Sequence, residues 1–121
     1  MALKQIINKM SFQIKQHLSE EHLILEMSGK ILSDGDLEIA KSYLDKIENW
    51  KIIIDLSALT HSNSSGIAFL VKTLTRARVH NGDVAMIKPS VQLAKLFEVT
   101  KMNEVFSLYE SLEEAKNHFK K

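Results

Sequence analysis

Ile52–Leu70, IIIDLSALTHSNSSGIAFL, contains three segments that read differently. Ile52 to Asp55 is an unbroken β-branched run closed by a carboxylate. Such a run predicts a short strand, Lys51 to Leu56, central in its sheet and covered on both faces. Ser62-Asn63-Ser64-Ser65-Gly66 is a polar loop. From Ser65 to His80 the apolar residues Ile67, Leu70, Val71, Leu74 and Ala77 recur at helical spacing. A buried strand followed by a polar loop and an amphipathic helix predicts an α/β fold.

The same alternation continues on both sides. Ser11 to Leu18 and His22 to Ser28 read as strands, joined through Ser19-Glu20-Glu21 as a hairpin. Asp34 to Asn49 carries Leu37, Ala40, Leu44 and Ile47 on one helical face. Asn81-Gly82-Asp83 ends the next helix, with Gly82 suited to a left-handed cap. Val84 to Ile87 predicts a strand, Ser90 to Phe97 a short helix and Val105 to Leu108 a last strand. Ser111 to Lys120 predicts the closing helix, with Ser111 and Glu114 spaced as a capping box. Strands separated by helices imply right-handed crossovers and a mostly parallel sheet, made mixed by the opening hairpin.

The chain has 121 residues, 45% of them hydrophobic and 26% charged, enough for one domain and one core. A formal net charge of +1 gives no bulk signal for nucleic acid or an anionic membrane. There are no cysteines, which excludes disulfides and thiolate metal sites. His17, His22, His61, His80 and His118 show no metal-ligand spacing. MALKQIINKM lacks the apolar run of a signal peptide, and no segment is long enough to insert in a membrane, so a cytoplasmic location is expected.

Two readings of the serine loop stand side by side. In one, Ser62 or Asn63 caps the helix, and Ser64 and Ser65 are ordinary first-turn residues. In the other, a serine at the helix start is a phosphoacceptor, because a helix N-terminus tolerates added negative charge. Asp55, at the end of its strand, is either a ligand-facing carboxylate or an acceptor for loop amides. The loop has one glycine and no lysine, unlike a nucleotide phosphate loop. A G-x-S-x-G elbow is absent, which argues against a serine hydrolase despite His61 nearby. Phe69, outside the apolar stripe and beside Lys72 and Arg76, reads as a candidate docking residue.

With these residues in view, the chain resembles the STAS domain family, the sulphate transporter and anti-sigma factor antagonist domains, in its stand-alone form. The stretch IIIDLSALTHSNSSGIAFL is similar to the family's strand, Asp-Leu-Ser, spacer, Asp-Ser-Ser-Gly and apolar helix. Leu93 to Ala115, LAKLFEVTKMNEVFSLYESLEEA, resembles its closing elements. The resemblance implies a single domain over residues 1–121, with its core at about 10–119, a mixed sheet of four or five strands and about four helices.

It also implies a function without catalysis and without a cofactor. Ser64 would be the phosphoacceptor. On our own reading of the residues, Ser62, Asn63, Ser65 and Gly66 shape the partner-binding loop, Phe69, Lys72 and Arg76 line the docking face, and Asp55 and Asp34 are candidate supporting residues. The implied partners are a serine kinase of the histidine-kinase-like fold, in this family often itself an anti-sigma factor, and a resetting serine phosphatase. An unphosphorylated subunit of a transport or other multiprotein complex is the alternative. Three positions depart from the family pattern. Asn63 stands where the family has an acid, Asp34 falls two positions late, and Lys101 lies where a glycine is common.

Overall fold

The computed structural model describes residues 12–19 and 21–120. The expected strand start at Ser11, Glu20 of the hairpin turn and the MALKQIINKM segment lie outside the described residues. The chain runs through β1 (Gln13–Leu18), β2 (Leu23–Lys30), a 3-10 turn (Asp34–Leu37) leading into α1 (Glu38–Leu44), and β3 (Lys51–His61). Then follow α2 (Ser64–Val79), β4 (Asp83–Ile87), α3 (Val91–Thr100), a 3-10 turn (Met102–Glu104), β5 (Ser107–Tyr109) and α4 (Leu112–His118). The five strands lie in the order β1-β2-β3-β4-β5. β1 is antiparallel to β2, and all other neighbours are parallel.

β3 is the middle strand, as its sequence predicts. Ile52, Ile53 and Ile54 are each 0% exposed. Ile52, Ile54 and Leu56 join the main core with Leu37, Ala40 and Leu44, with Phe69, Leu70, Leu74 and Ala77 of α2, and with Leu93 and Phe97 of α3. Ile53 points the other way, into a smaller cluster with Ala85, Ile87 and Ala115 of α4. Burial on both faces is why this strand is β-branched throughout rather than alternating. Each such side chain contributes about 1.5–3 kcal/mol by leaving water.

Several boundaries differ from the sequence expectation, each for a local reason. β3 runs on to His61 because β2 pairs with it beyond Asp55, through two register shifts. The helix expected over Asp34 to Asn49 is helical only to Leu44. It loosens into a turn, and Asn49 Oδ1 accepts the Lys51 N–H at 2.9 Å to start β3. The last strand begins at Ser107 because the Val105 and Phe106 N–H groups both donate to the Met102 carbonyl. Phe106 then packs edge-on against Phe97, with ring centroids 5.2 Å apart. At α4, Ser111 Oγ accepts the Glu114 N–H at 3.2 Å, but Glu114 reaches one residue further back than a capping box, to the Glu110 N–H.

The stop after α2 is a Schellman turn whose left-handed residue is Asn81, φ 64°, rather than Gly82. The Gly82 N–H donates to the Ala77 carbonyl at 2.7 Å, and the Asn81 N–H to the Arg78 carbonyl at 3.2 Å. Gly82 is required for another reason: a Cβ there would overlap the Trp50 carbonyl. At the end of α3, Lys101 takes the left-handed conformation, φ 62° and ψ 20°. A glycine adopts that conformation at no steric cost.

These two sites give opposite expectations for urea unfolding. Lys101→Gly relieves left-handed strain of about 1–2 kcal/mol and adds a glycine entropy penalty of about 0.5–1 kcal/mol, so a net gain between zero and about 1.5 kcal/mol is expected. Gly82→Ala forces the Trp50 backbone aside and should cost about 1–3 kcal/mol. A destabilised Lys101→Gly protein would contradict the assigned cap.

Candidate functional site

The site is made where β3 outlasts its neighbour. β4 pairs with β3 only as far as Ile87, opposite Asp55. Beyond that point β3 continues beside β2 alone and becomes polar. The Asp55 carboxylate accepts the Ser57 N–H at 2.9 Å, fixing the irregular backbone there. The Ile31 N–H donates to the His61 carbonyl at 2.9 Å, and Ser90 Oγ donates to the Leu59 carbonyl at 2.7 Å. The loops after β2 and β4 are thereby tied to either side of the segment that leads into α2.

Asn63 is the N-cap of α2. Its Oδ1 accepts the Gly66 N–H at 3.0 Å, satisfying one of the helix's unpaired donors. Its own carbonyl accepts the Ser62 hydroxyl at 3.1 Å and the Ile67 N–H at 3.2 Å. Gly66 is buried, and a Cβ there would overlap Ser62 Oγ and approach Ile31 Cδ1 to 3.1 Å. Ser62, Asn63 and Gly66 are thus occupied in building the turn. Ser64, the first residue of α2, is exposed, and its hydroxyl has no hydrogen-bond partner among the described residues.

Ser65 faces a different surface. With Asp34, Phe69, Lys72 and Arg76 it lines an open groove of about 400 Å³ between α2 and the segment from Asp34 to Asp45. Five of the expected site residues are therefore brought together. Lys41 and Asp45 of that groove were not anticipated from the sequence. Arg76 is engaged already: its guanidinium lies 3.4 Å from Asp45 Oδ1 and 5.4 Å from the centre of the Trp50 ring.

Two expectations need correction. Phe69 is only 4% exposed and belongs to the main core. The buried stripe of α2 is Gly66, Phe69, Leu70, Thr73, Leu74 and Ala77. Ile67 and Val71 are half-buried instead. Phe69 forms the groove's floor rather than an exposed docking point, and Thr73 joins the buried side by donating its hydroxyl to the Phe69 carbonyl at 2.8 Å. Asp55 does not end its strand. It lies on the opposite sheet face from the groove, in line with Ile53, near Lys15 and Glu26. It is a structural acceptor.

Asp36 was missed. Its carboxylate accepts the Leu32 and Ser33 N–H groups at 2.8 and 3.0 Å and sets the turn that places Asp34 at the groove. The Ser33-x-x-Asp36 spacing, a relative of the capping box, is the signal that points to it.

The STAS domain model matches residues 11–115, and the chain belongs to the STAS domain family. An anti-sigma factor antagonist from Mycobacterium paratuberculosis superposes with a TM-score of 0.76 at 19% identity, over 92% of this chain and 96% of that one. A putative anti-sigma factor antagonist from Thermotoga maritima gives 0.77 at 19% identity, over 89% and 95%. The phosphorylated form of the Bacillus cell fate determinant SpoIIAA gives 0.66 at 17% identity, over 89% and 98%. At these identities the likeness is one of fold. No helix among the described residues is long and apolar enough to cross a membrane.

The cap assignment carries its own test. Asn63→Ala should cost about 1 kcal/mol by removing the acceptor for the Gly66 N–H, whereas Asn63→Asp should stay within a few tenths of a kcal/mol. Thermal melts of the two variants beside the wild type check this. Equal melting of Asn63→Ala and wild type would remove Asn63 from the cap.

Proposed function

We propose that this STAS domain is a partner-switching protein of the anti-sigma factor antagonist type, with Ser64 as its phosphoacceptor. The observation that carries the reading is the exposed Ser64 hydroxyl at the first position of α2, without a hydrogen-bond partner among the described residues, while Ser62, Asn63 and Gly66 build the turn and Ser65 is half-buried in the groove wall. A kinase can reach that oxygen without breaking an internal contact. The helix N-terminus accommodates the added charge of roughly −1.5 to −2. Ser65 is the weaker acceptor, because it is half-buried in the groove wall.

In this reading the domain is substrate and binding module rather than enzyme, working in the cytoplasm. The unmodified loop packs against a serine kinase of the histidine-kinase-like fold, which acts as the anti-sigma factor and brings its own ATP and Mg²⁺. Phosphate on Ser64 breaks the fit by charge and desolvation, and a serine phosphatase restores it. Asn63 leaves the acceptor one negative charge poorer than an Asp would. Asn63→Asp should therefore alter the rate of phosphorylation and not its site.

Phosphopeptide mapping after incubation with the cognate kinase should find Ser64, and modification at Ser65 alone would overturn the assignment. In a binding titration, Ser64→Asp places an imperfectly paired charge in the interface and should cost about 2–5 kcal/mol, roughly thirty- to several-thousand-fold. Ser64→Ala should cost about 1 kcal/mol or less. Equal affinity for both variants would sink the switch and favour a static subunit of a larger complex.

A further inference from the structure

The sheet's second face is closed mainly by α4. Ala115, with Leu112 and Phe119 beside it, packs over Ile53, Ala85 and Ile87. A helix of 7 residues is not stable alone in water, so α4 persists only while these contacts hold.

Two histidines flank Phe119. The His22 ring lies 5.1 Å from the Phe119 ring, and the His118 ring lies 5.1 Å from it as well. Their surroundings differ in sign. His22 is only 4% exposed, and its ring has no hydrogen-bond partner among the described residues. The charged groups facing it are Glu21 of its own turn, Lys51 at the start of β3, and Lys116 and Lys120 in and after α4. Burial, the largest influence, pushes its pKa below the ordinary value; Glu21 opposes this and the three lysines reinforce it.

His118 is instead held in a polar clasp. Its Nε2 lies 2.9 Å from Asp83 Oδ2 and its Nδ1 2.7 Å from the Tyr109 hydroxyl. Asp83 also accepts from Arg78 Nε at 3.2 Å and from the Val84 N–H at 2.9 Å. Burial alone would raise the Asp83 carboxyl, but the hydrogen bonds from His118, Val84 and Arg78, with the Arg78 charge, hold it below its ordinary value. Asp83 therefore stays ionised in mild acid. A protonated His118 keeps its Nε2–H on Asp83, and the Tyr109 oxygen, which can accept as well as donate, turns to take the Nδ1–H.

We propose that α4 is an acid-released cover: protonation of His22 lifts Phe119 and α4 from the second face of the sheet while the main core stays folded. The sign follows from linkage. A histidine whose pKa is lowered by burial leaves the closed form at full stability above its free value of 6.5. Below that value the open form binds the proton preferentially, and the closed form loses stability as pH falls. The Asp83–His118–Tyr109 clasp resists release, because the Asp83 carboxylate stays ionised in the same range and keeps its hydrogen bond with the His118 ring.

Amide hydrogen exchange on the full chain tests this, at about pH 7.5 and about pH 5.5 and corrected for intrinsic rates. Protection of the Leu112–His118 amides should fall severalfold on acidification, toward the ceiling of about tenfold that a single histidine allows over this range, while that of Ile52 to Ile54 stays unchanged. His22→Phe keeps a ring against Phe119 and removes the titrating nitrogen, so its α4 protection should no longer respond to acid. His22→Gln, a smaller polar replacement, should behave likewise and serves if the first variant folds poorly. Unchanged α4 protection in acidified wild type overturns the proposal, and so does an equal loss in the His22 variants.

Discussion

The two-sided burial of Ile52, Ile53 and Ile54 is the constraint on which the rest of the structure depends. A strand covered on both faces needs helices above and below it, and parallel neighbours allow crossovers to supply them. α1, α2 and α3 pack over one face and α4 over the other. The two faces are unequal. The main core holds most of the large side chains, and the second cluster is small. The domain therefore has one face that is hard to open and one that depends on a short helix.

The same strand decides where the site lies. Its apolar part is matched on both sides by β2 and β4. Its polar continuation is matched by β2 alone, and it delivers the chain to α2 beyond the end of β4. Loop residues there must satisfy backbone groups without the help of a second ladder. Asn63 and Ser62 do so with side-chain oxygens, and Asp55, still within the paired strand, does the same for the Ser57 N–H. The polarity of the stretch after Leu56 thus has in part a structural cause, and it leaves Ser64 as the exposed hydroxyl at the start of α2, with no hydrogen bond among the described residues.

Much of this was legible in the sequence, because the strongest signals are periodic and local. The IIID run, the strand and helix alternation and the Ser-Ser-Gly at a helix start all follow from spacing and residue type. Phe69 was misread because a helical wheel does not say where its neighbours stand. Leu37 and Leu44 cover the side of α2 on which Phe69 lies, and only tertiary packing reveals that. Gly82 was assigned the left-handed position on propensity, yet Asn81 fills it, and Gly82 is glycine because a Cβ there would overlap Trp50. Asp55 looked like a strand end because β-branched residues stop there, although backbone pairing with β2 does not.

The separation of roles within the serine loop bears on how a modification there would act. Asn63, Gly66 and Ser62 hold the first turn of α2 through bonds that do not pass through Ser64. A phosphate on the Ser64 oxygen would replace no internal hydrogen bond and enter no packed volume. The domain's own stability would then be nearly the same in both states, since the helix terminus favours the charge and nothing buried opposes it. The difference between states would lie on the outer surface, where a docked partner must either pair the phosphate or exclude it. A ligand shifts an equilibrium only by its differential affinity for the two states. Here that differential would be carried by the interface itself, with no need for a second fold of the domain.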